Sequence, residues 1–519
     1  MMYLGLDAST QSLSAILIDT AQGEIIAEDS VNFGAEFPEY DSPNGFISSA
    51  EGVVTASPLM WLDALDLVLK RLCDKGIDLS KVRAVCGAGQ QHASVYLNSS
   101  FDGALGRLDA TRSLSEQLAA TLSRAQSPIW MDSSTSEQCQ QISDSIGSSQ
   151  KVSELTGSVA TQRFTGPQIR KFYQESAEAY AQTSKIHLNS SFLASVLAGA
   201  NAPIDFGDGA GMNLMDISSN EWNSQMLQAT APDLSNKLPD LKNAGTYVAN
   251  ISSYFVKKYG FSSDCKALSW TGDNPASLVG MGAASAGKVV ISLGTSDTLF
   301  AAMPESKTDP NGFGHVFGNP VKGYMSLICF ANGSLARETI KEQHNLSWEQ
   351  FEQDALASSP LGNQGKLAAA LFTPEVTPRL QEAGFQTNQW DPQNEPVATT
   401  LSALLEGQFS NMKLQSEWMQ LDITDVLLTG GASKNQAIAQ TIADIFQAPV
   451  KRLEVSSSVG LGSAILAALS EGANYTELVE SFCSPSPAAT LPQDGSEIYS
   501  SHLRDHARFL DLLEDSLGY

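Results

Sequence analysis

A strand, a polar turn and a returning strand occur in the same order in both halves of this sequence. They occupy residues 2–6, 7–11 and 13–18 in the first half, and residues 289–293, 294–298 and 299–303 in the second. In each half a helical pattern follows, and then a strand that ends in glycines, Gly87 and Gly89 or Gly430 and Gly431. A unit that occurs twice in 519 residues indicates a duplicated α/β domain, because solenoid repeats have much shorter periods.

The length of the chain agrees with this duplication. At roughly 150 residues per domain, 519 residues form two or three domains. We therefore predict two α/β domains, at residues 1–250 and 251–519, each carrying one hairpin. Apolar residues at helical spacing after Ser500 predict a terminal helix.

The charge balance excludes some classes of partner. With 31 Lys and Arg against 57 Asp and Glu, the net charge of -26 repels nucleic acid and anionic membrane surfaces. No apolar run approaches the roughly 20 residues that span a bilayer, and the first residues lack a secretory pattern, so we expect a cytoplasmic protein. A bound nucleotide would need backbone amides, helix N-termini and a divalent cation.

The two hairpin tips carry groups that suit a phosphate and a metal ion. The first tip contains Asp7, Ser9, Thr10 and Gln11, which offer a carboxylate for Mg²⁺ and several donors for phosphate. The second tip contains Gly294, Thr295 and Ser296, and its glycine removes the Cβ that would block close approach. Either tip could equally be an ordinary β-turn. Two such tips that face each other would clamp a phosphate chain.

Two strand-to-helix junctions add candidate groups. The segment from Gly430 and Gly431 to Asn435 predicts a helix N-terminus with Ser433 as N-cap, which can accept a nucleotide or can be a turn without a ligand. Asp273, before Asn274 and Pro275, could accept the proton of a hydroxyl that attacks a phosphoryl group. Helix capping is the alternative that its spacing alone favours.

Nine strings, taken in order, resemble the FGGY carbohydrate kinases along nearly the whole chain. They are LDASTQ (6–11), GAGQQH (87–92), WMDSST (130–135), RFTG (163–166), DGAGMNL (208–214), TGDNPASL (271–278), SLGTSDTLF (292–300), NGSLARE (332–338) and TGGASKN (429–435). Within that family the likeness is to the branch that acts on D-xylulose in animals. The resemblance implies two actin-like or hexokinase-like (RNase H-like) domains around a cleft, and ATP-dependent conversion of D-xylulose to D-xylulose 5-phosphate.

The resemblance also implies roles for individual residues. Asp273 is then the catalytic base, and sugar contacts come from Gln91, His92, Arg163 and Asn274. Asp7 is associated with Mg²⁺, Thr10 and Thr295 occupy the phosphate hairpins, Gly430, Gly431 and Asn435 form the adenosine pocket, and Trp348 flanks the adenine.

Structural alternatives remain for three of these residues. His92 could be a core histidine, Arg163 could pair with an acid, and Trp348 could simply pack. The sequence departs from the family pattern at Trp270 and Ala93, which affects the shape of the pocket.

The partners that the resemblance implies are a small sugar and MgATP, and it allows a homodimer. Two other functions stay open. One is a family kinase for another acceptor, such as ribulose or glycerol. The other is a non-catalytic, nucleotide-gated protein of the actin or Hsp70 type, which would not need Asp273.

Overall fold

Two seven-stranded sheets organise the protein, one in each half of the chain. A computed structural model describes residues 1–357, 360–454, 457–483 and 485–518. The strands of the first sheet are Met2–Ala8, Ser12–Asp19, Glu24–Asn32, Val82–Gly89, Tyr247–Asn250, Lys266–Leu268 and Thr271–Gly272. Those of the second are Lys288–Leu293, Asp297–Met303, His315–Gly318, Tyr324–Phe330, Asp425–Gly430, Val450–Arg452 and Ala489–Thr490.

Helices and short sheets surround these two layers. The α-helices are Phe33–Glu36, Pro58–Asp74, Phe101–Leu105, Leu114–Leu118, Ser136–Ile146, Ser149–Thr156, Thr165–Glu175, Ala177–Gln182, Asn189–Ala198, Phe206–Ala210, Ser224–Thr230, Ser253–Tyr259, Asp273–Gly280, Ser334–Gln343, Trp348–Leu356, Val397–Leu414, Gln436–Phe446, Ser458–Ser470, Tyr475–Phe482 and Tyr499–Leu517. The short sheets pair Ile47–Ala50, Val53–Ala56 and Ser127–Pro128; Ser94–Leu97 with Lys185–Leu188; Ile204–Asp205 with Leu241–Lys242; Met215–Asp216 with Glu221–Trp222; Ala368–Leu371 with Gly384–Thr387; and Glu375–Val376 with Arg379–Leu380. The terminal helix predicted after Ser500 is confirmed.

Both sheets have the same core topology, which confirms the duplication. In each, the first hairpin strand pairs antiparallel with the second and parallel with a strand from much later in its half. The parallel partners are Val82–Gly89 for Met2–Ala8, and Asp425–Gly430 for Lys288–Leu293. The glycine-ended strands and the hairpin tips therefore lie at the same end of each sheet, at the carboxyl ends of the parallel strands, where open α/β sheets bind ligands.

The partition between the two sheets lies after Gly272 rather than near residue 250. After the helix Ser253–Tyr259 the chain returns to the first sheet, where Lys266–Leu268 and Thr271–Gly272 pair parallel with Val82–Gly89. These strands have three and two residues, too few for a clear alternating pattern in the sequence. The return brings Asp273 to the end of the first sheet, although residues 251–519 were expected to form the second domain.

Glycines let two helices pack closely beneath the first hairpin. A Cβ at Gly5 would lie 2.1 Å from the carbonyl oxygen of Gly460, and one at Gly462 would lie 1.9 Å from that of Ala276. The helix Ser458–Ser470, from the second half, therefore contacts both the first strand and the helix that Asp273 begins. The two halves share one apolar core through these contacts.

Trp270 has a structural explanation. Its side chain is 1% exposed, and a Cβ at Gly87 would lie 2.4 Å from its ring. The large ring fills the space above a glycine in the neighbouring strand, so this departure from the family pattern belongs to the core. Among the described residues, no helix is long and apolar enough to cross a membrane.

Candidate active site

Asp273 lies at the carboxyl end of the first sheet and begins the helix Asp273–Gly280. Its Oδ1 accepts hydrogen bonds from the backbone N–H of Asn274 at 2.9 Å and of Gln91 at 3.4 Å. Burial raises the pKa of this carboxyl from 3.8 to about 6, against the opposing effect of these N–H donors. A carboxylate with a pKa near neutrality is suited to accept a proton from a substrate hydroxyl.

Gln91 and Asn274 form a small amide network beside Asp273. Asn274 Nδ2 donates to Gln91 Oε1 at 2.9 Å and to Asp273 Oδ1 at 3.1 Å. Three of the residues that the sequence analysis singled out are thus brought together by hydrogen bonds. The network fixes the Asp273 carboxyl with respect to the residues that precede His92.

His92 is held as a neutral side chain. Its backbone φ is 71°, its ring stacks on Phe164 at 4.3 Å, and its Nδ1 lies 2.8 Å from the carbonyl oxygen of Gly211. Burial first, and Arg163 second, lower the pKa of His92 well below its ordinary value. Because Nδ1 must donate to the carbonyl, Nε2 carries the lone pair and can accept a hydrogen bond from a sugar hydroxyl.

Arg163 is held by His315, a residue that the sequence analysis missed. Arg163 Nη2 donates to His315 Nε2 at 3.3 Å, and His315 Nδ1 lies 3.1 Å from Ser158 Oγ. Burial, with Arg163 as the second cause, lowers the pKa of His315 to about 3, so its Nε2 can accept. His315 belongs to the second sheet, and no motif in the sequence marks it. The alternative that Arg163 pairs with an acid finds no support among the described residues.

Asp7 lies at the same end of the first sheet as Asp273. The residue pairs in parallel with Ala88, which also pairs with Thr271. Asp7 Oδ1 accepts from Ser9 Oγ at 2.6 Å, while burial and, to a lesser extent, the charge of Asp273 raise the pKa of Asp7 to about 7. No basic side chain within the described ranges forms an ion pair with it, so a divalent cation fits this carboxylate.

Thr10 and Gln11 complete the first tip. Trp130 Nε1 donates to Thr10 Oγ1 at 2.8 Å, and Trp130 is 44% exposed. This hydrogen bond from Trp130, a residue of the WMDSST motif, fixes the side chain of Thr10. That the two hairpin tips face each other across a phosphate remains a prediction.

Two further acids, Asp205 and Asp208, lie near Asp273. The sequence analysis assigned them no role. Asp205 accepts hydrogen bonds from Thr271 Oγ1 at 2.8 Å and from two backbone N–H groups, and caps the helix Phe206–Ala210. Asp208 is 3% exposed and its Oδ2 is hydrogen bonded to the Ser190 hydroxyl. Burial, with Asp205 as the next cause, raises the pKa of Asp208 well above its ordinary value.

The second hairpin tip is tied to a helix N-terminus. The carbonyl oxygens of Gly294 and Thr295 accept from the backbone N–H groups of Ser334 and Leu335, at 2.9 and 3.4 Å. Below the tip, Arg337 binds both oxygens of Asp297 at 2.9 Å, and both side chains are fully buried. This paired charge fixes the tip, which includes Ser296, against the helix Ser334–Gln343.

A cavity of about 610 Å³ opens beside the second tip. Its lining residues are Leu293, Gly294, Thr295, Ser334, Trp348, Glu349, Glu352, Gly431, Ala432, Lys434, Asn435 and Ile438. Five predicted nucleotide contacts therefore meet in one cavity. The other six are not in its lining: Asp7, Ser9, Thr10 and Gln11 of the first tip, and Ser296 and Gly430. Trp348 lines the cavity and is 45% exposed, and its ring also packs against Phe351 at 5.5 Å and lies 5.1 Å from Lys341 Nζ.

Gly430 precedes the lining residue Gly431, and the helix after it begins later than expected. Gly430 has φ 92°, and a Cβ there would lie 2.3 Å from the carbonyl oxygen of Leu293. Residues Gly431–Lys434 form a 3₁₀ turn, so the N-cap of the helix Gln436–Phe446 is Asn435 and not Ser433. Asn435 Oδ1 accepts from the backbone N–H of Ile438 at 3.1 Å.

Comparison with protein families decides which group of proteins this site belongs to. The model of the N-terminal domain of the FGGY family of carbohydrate kinases matches residues 118–280, and the model of the C-terminal domain matches residues 289–471. The chain belongs to the FGGY family of carbohydrate kinases. The interval between the two matches lies after Gly272, in agreement with the partition of the two sheets.

Curated relatives of this FGGY kinase match along most of their length. It is 42% identical to xylulose kinase of Rattus norvegicus, over 97% of this chain and 95% of that protein. It is 41% identical to xylulose kinase of Mus musculus, over 96% and 92%, and 39% identical to xylulose kinase 2 of Arabidopsis thaliana, over 90% and 87%.

Solved structures confirm the two-domain α/β fold of this FGGY kinase. The xylulose kinase from Rhodospirillum rubrum superposes with a TM-score of 0.83 at 18% identity, covering 99% of both chains. The Plasmodium falciparum glycerol kinase with ADP superposes with a TM-score of 0.80 at 15% identity, covering 99% of this chain and 98% of that one. The chain is a carbohydrate kinase.

Proposed function

We propose that this kinase transfers the γ-phosphoryl group of ATP to the terminal hydroxyl of D-xylulose, giving D-xylulose 5-phosphate and ADP. The observation that carries the proposal is Asp273, a half-buried carboxyl with a pKa raised to about 6 at the edge of the first sheet. The choice of sugar is supported by the curated xylulose kinases that are about 40% identical.

The transfer begins when Asp273 accepts the proton of the sugar hydroxyl. The hydroxyl oxygen forms a bond to the γ-phosphorus as the bond between that phosphorus and the β–γ bridging oxygen breaks, and ADP leaves with that oxygen. His92 Nε2 accepts a hydrogen bond from a second sugar hydroxyl. Arg163 donates to a further oxygen of the sugar. Gln91 and Asn274 contact the sugar as well, and Asn274 does so through its carbonyl oxygen, because both Nδ2 hydrogens are donated to Gln91 and Asp273. Because this chemistry depends mainly on position and charge, the residues act by holding the sugar in line with the phosphate.

The nucleotide lies against the second sheet in this proposal. Trp348 flanks the adenine, Gly430, Gly431 and Asn435 contact the adenosine, and backbone N–H groups at Gly294, Thr295 and Ser296 bind the phosphates. Ser9, Thr10 and Gln11 approach the phosphates from the first tip. Asp7 would hold Mg²⁺, which offsets the negative charge of the phosphates. Closure of the two halves around the sugar excludes water, which would otherwise hydrolyse ATP.

A coupled assay of ADP release across ketoses and polyols tests this function. We expect D-xylulose to give the highest kcat/KM, ahead of ribulose and glycerol. We also expect 5-deoxy-xylulose to bind without being phosphorylated, since it lacks the accepting hydroxyl. A higher kcat/KM for ribulose or glycerol would assign the enzyme to another acceptor. ADP release that no sugar stimulates would favour the non-catalytic, nucleotide-gated alternative.

A further inference from the structure

Two glycines at the end of the first sheet bring buried polar side chains together behind Asp273. Gly89 and Gly272 pair across adjacent strands. A Cβ at Gly89 would lie 2.7 Å from Asn189 Oδ1, and a Cβ at Gly272 would lie 2.6 Å from Asp208 Oδ1 and 2.9 Å from Gln91 Nε2. The φ and ψ of Gly272 are -74° and 159°, which any residue can adopt. The glycine is therefore required for space, since it lets Gln91 and Asp208 approach the same point.

One atom of each of these two side chains lacks a partner. Gln91 and Asp208 are each 3% exposed, and neither Gln91 Nε2 nor Asp208 Oδ1 has a hydrogen-bond partner among the residues that the structure describes. Their other polar atoms are engaged, Gln91 Oε1 with Asn274 and Asp208 Oδ2 with Ser190. A buried donor and a buried acceptor that remain unpaired are costly, and here both lie within 2.9 Å of the point that a Cβ of Gly272 would occupy.

We propose that Asp208 is a positioning residue, whose Oδ1 accepts a hydrogen bond from Gln91 Nε2 and so fixes the orientation of the Gln91 amide. That orientation leaves Gln91 Oε1 free to accept from Asn274, and the Asn274 amide to donate to Asp273. The proposal rests on the proposed role of Asp273 as general base. It adds a residue that touches neither sugar nor nucleotide and acts through Gln91 and Asn274.

The protonation state of Asp208 determines which variant preserves the contact. Burial and the neighbouring acids Asp205 and Asp273 favour a neutral carboxyl. Ser190 Oγ donates to Asp208 Oδ2 when that carboxyl is charged. A neutral carboxyl can instead donate its own hydrogen to the Ser190 hydroxyl, which leaves its other oxygen to accept from Gln91. An asparagine can present the same pattern, since its Nδ2 can donate to the Ser190 hydroxyl while its carbonyl accepts from Gln91.

The test is a double-mutant cycle with the full-length enzyme, measured as kcat and KM for D-xylulose and ATP. We expect Asp208→Asn to keep kcat within about threefold, and Asp208→Leu, which removes the acceptor, to lower kcat about tenfold with an unchanged KM for ATP. Gln91→Met keeps the size of the side chain and removes the amide. In that background Asp208→Leu is expected to cause no further loss of kcat.

Two results would overturn the proposal. One is a loss of kcat in the Gln91→Met/Asp208→Leu double variant that equals the product of the two single losses. That result would mean that Asp208 acts on the fold and not through Gln91. The other is a loss in Asp208→Asn equal to that in Asp208→Leu. Melting temperatures of all variants identify an unfolded protein, and Asp208→Asn still tests the proposal if Asp208→Leu does not fold. Absence of sugar phosphorylation by the unmodified enzyme would instead refute the proposed function.

Discussion

The two halves of the protein share a sheet topology but differ in how the acids at the carboxyl ends of their strands are paired. In the first half this end of the sheet holds Asp7 and Asp273, whose pKa values burial raises to about 7 and about 6. In the second half burial also raises the pKa of Asp297, the acid below the tip, but buried Arg337 pairs with it and opposes that shift. The same end of this sheet opens into a cavity whose lining includes two glycines, Trp348, Glu349 and Glu352. The two halves therefore share one sheet topology and differ in the pairing of these acids, since Asp297 has a buried arginine as partner and Asp7 and Asp273 have no ion-pair partner among the described residues.

The largest expected effect tests the first half of the protein. Asp273→Asn removes the proton acceptor while keeping its shape, so kcat should fall about 10³- to 10⁴-fold. Sugar binding measured by calorimetry should change by less than about threefold, because the amide can still hydrogen bond to the sugar. Near-normal turnover would remove Asp273 from the mechanism.

On the nucleotide side the largest effect concerns stability. Arg337→Met leaves Asp297 buried without its cation, and should lower the free energy of unfolding by about 3–4 kcal/mol in urea titrations. Arg71→Met is the matched control, since Arg71 pairs with Glu36 at the surface and its loss should cost less than about 1 kcal/mol. Equal losses in the two variants would contradict the role given to the buried pair.

His315 tests whether the halves cooperate at the sugar site. His315→Phe keeps the ring but removes the nitrogen that accepts from Arg163, and should raise the KM for the sugar about tenfold. His315→Gln should restore much of the affinity, because its amide oxygen can accept. The KM for ATP should not change in either variant, and a parallel rise in both KM values would indicate a general structural defect.

The raised pKa of Asp273 predicts how pH affects stability. The folded chain favours the protonated carboxyl, so its contribution to stability is fully present below pH 3.8 and is lost as pH rises through about 6. Asp273→Asn should therefore be more stable than the unmodified protein by about 1–2 kcal/mol at pH 8, and equally stable near pH 3.5. Thermal unfolding at the two pH values measures the difference, and an equal difference at both would contradict the shift.

The smallest effect concerns Trp348. Trp348→Ala should raise the KM for ATP about fivefold and leave the KM for the sugar unchanged, because the ring lines the cavity that we propose for the nucleotide. Trp348→Phe keeps an aromatic face and should stay within about twofold. A change confined to the KM for the sugar would assign Trp348 to the sugar site instead of the proposed nucleotide cavity.

Local patterns predicted the duplicated sheets, the terminal helix and a group of residues that the fold brings together. Gln91 was selected from one string and Asp273 and Asn274 from another, and the structure joins them by hydrogen bonds. The N-cap at Ser433 was wrong, since a 3₁₀ turn moves the start of the helix to Asn435. Helix starts of this kind depend on one turn of backbone, which residue preferences alone specify poorly.

The sequence by itself determined the family, the duplicated α/β fold and the residue types at the strand ends, because periodicity and short strings are local properties of the chain. Only the tertiary structure decided that His315 holds Arg163, that Asp208 lies beside Gln91, and that the first sheet continues to Gly272. All of these contacts join residues more than a hundred positions apart. Their energies come from burial and hydrogen-bond geometry, which exist only once the chain has folded.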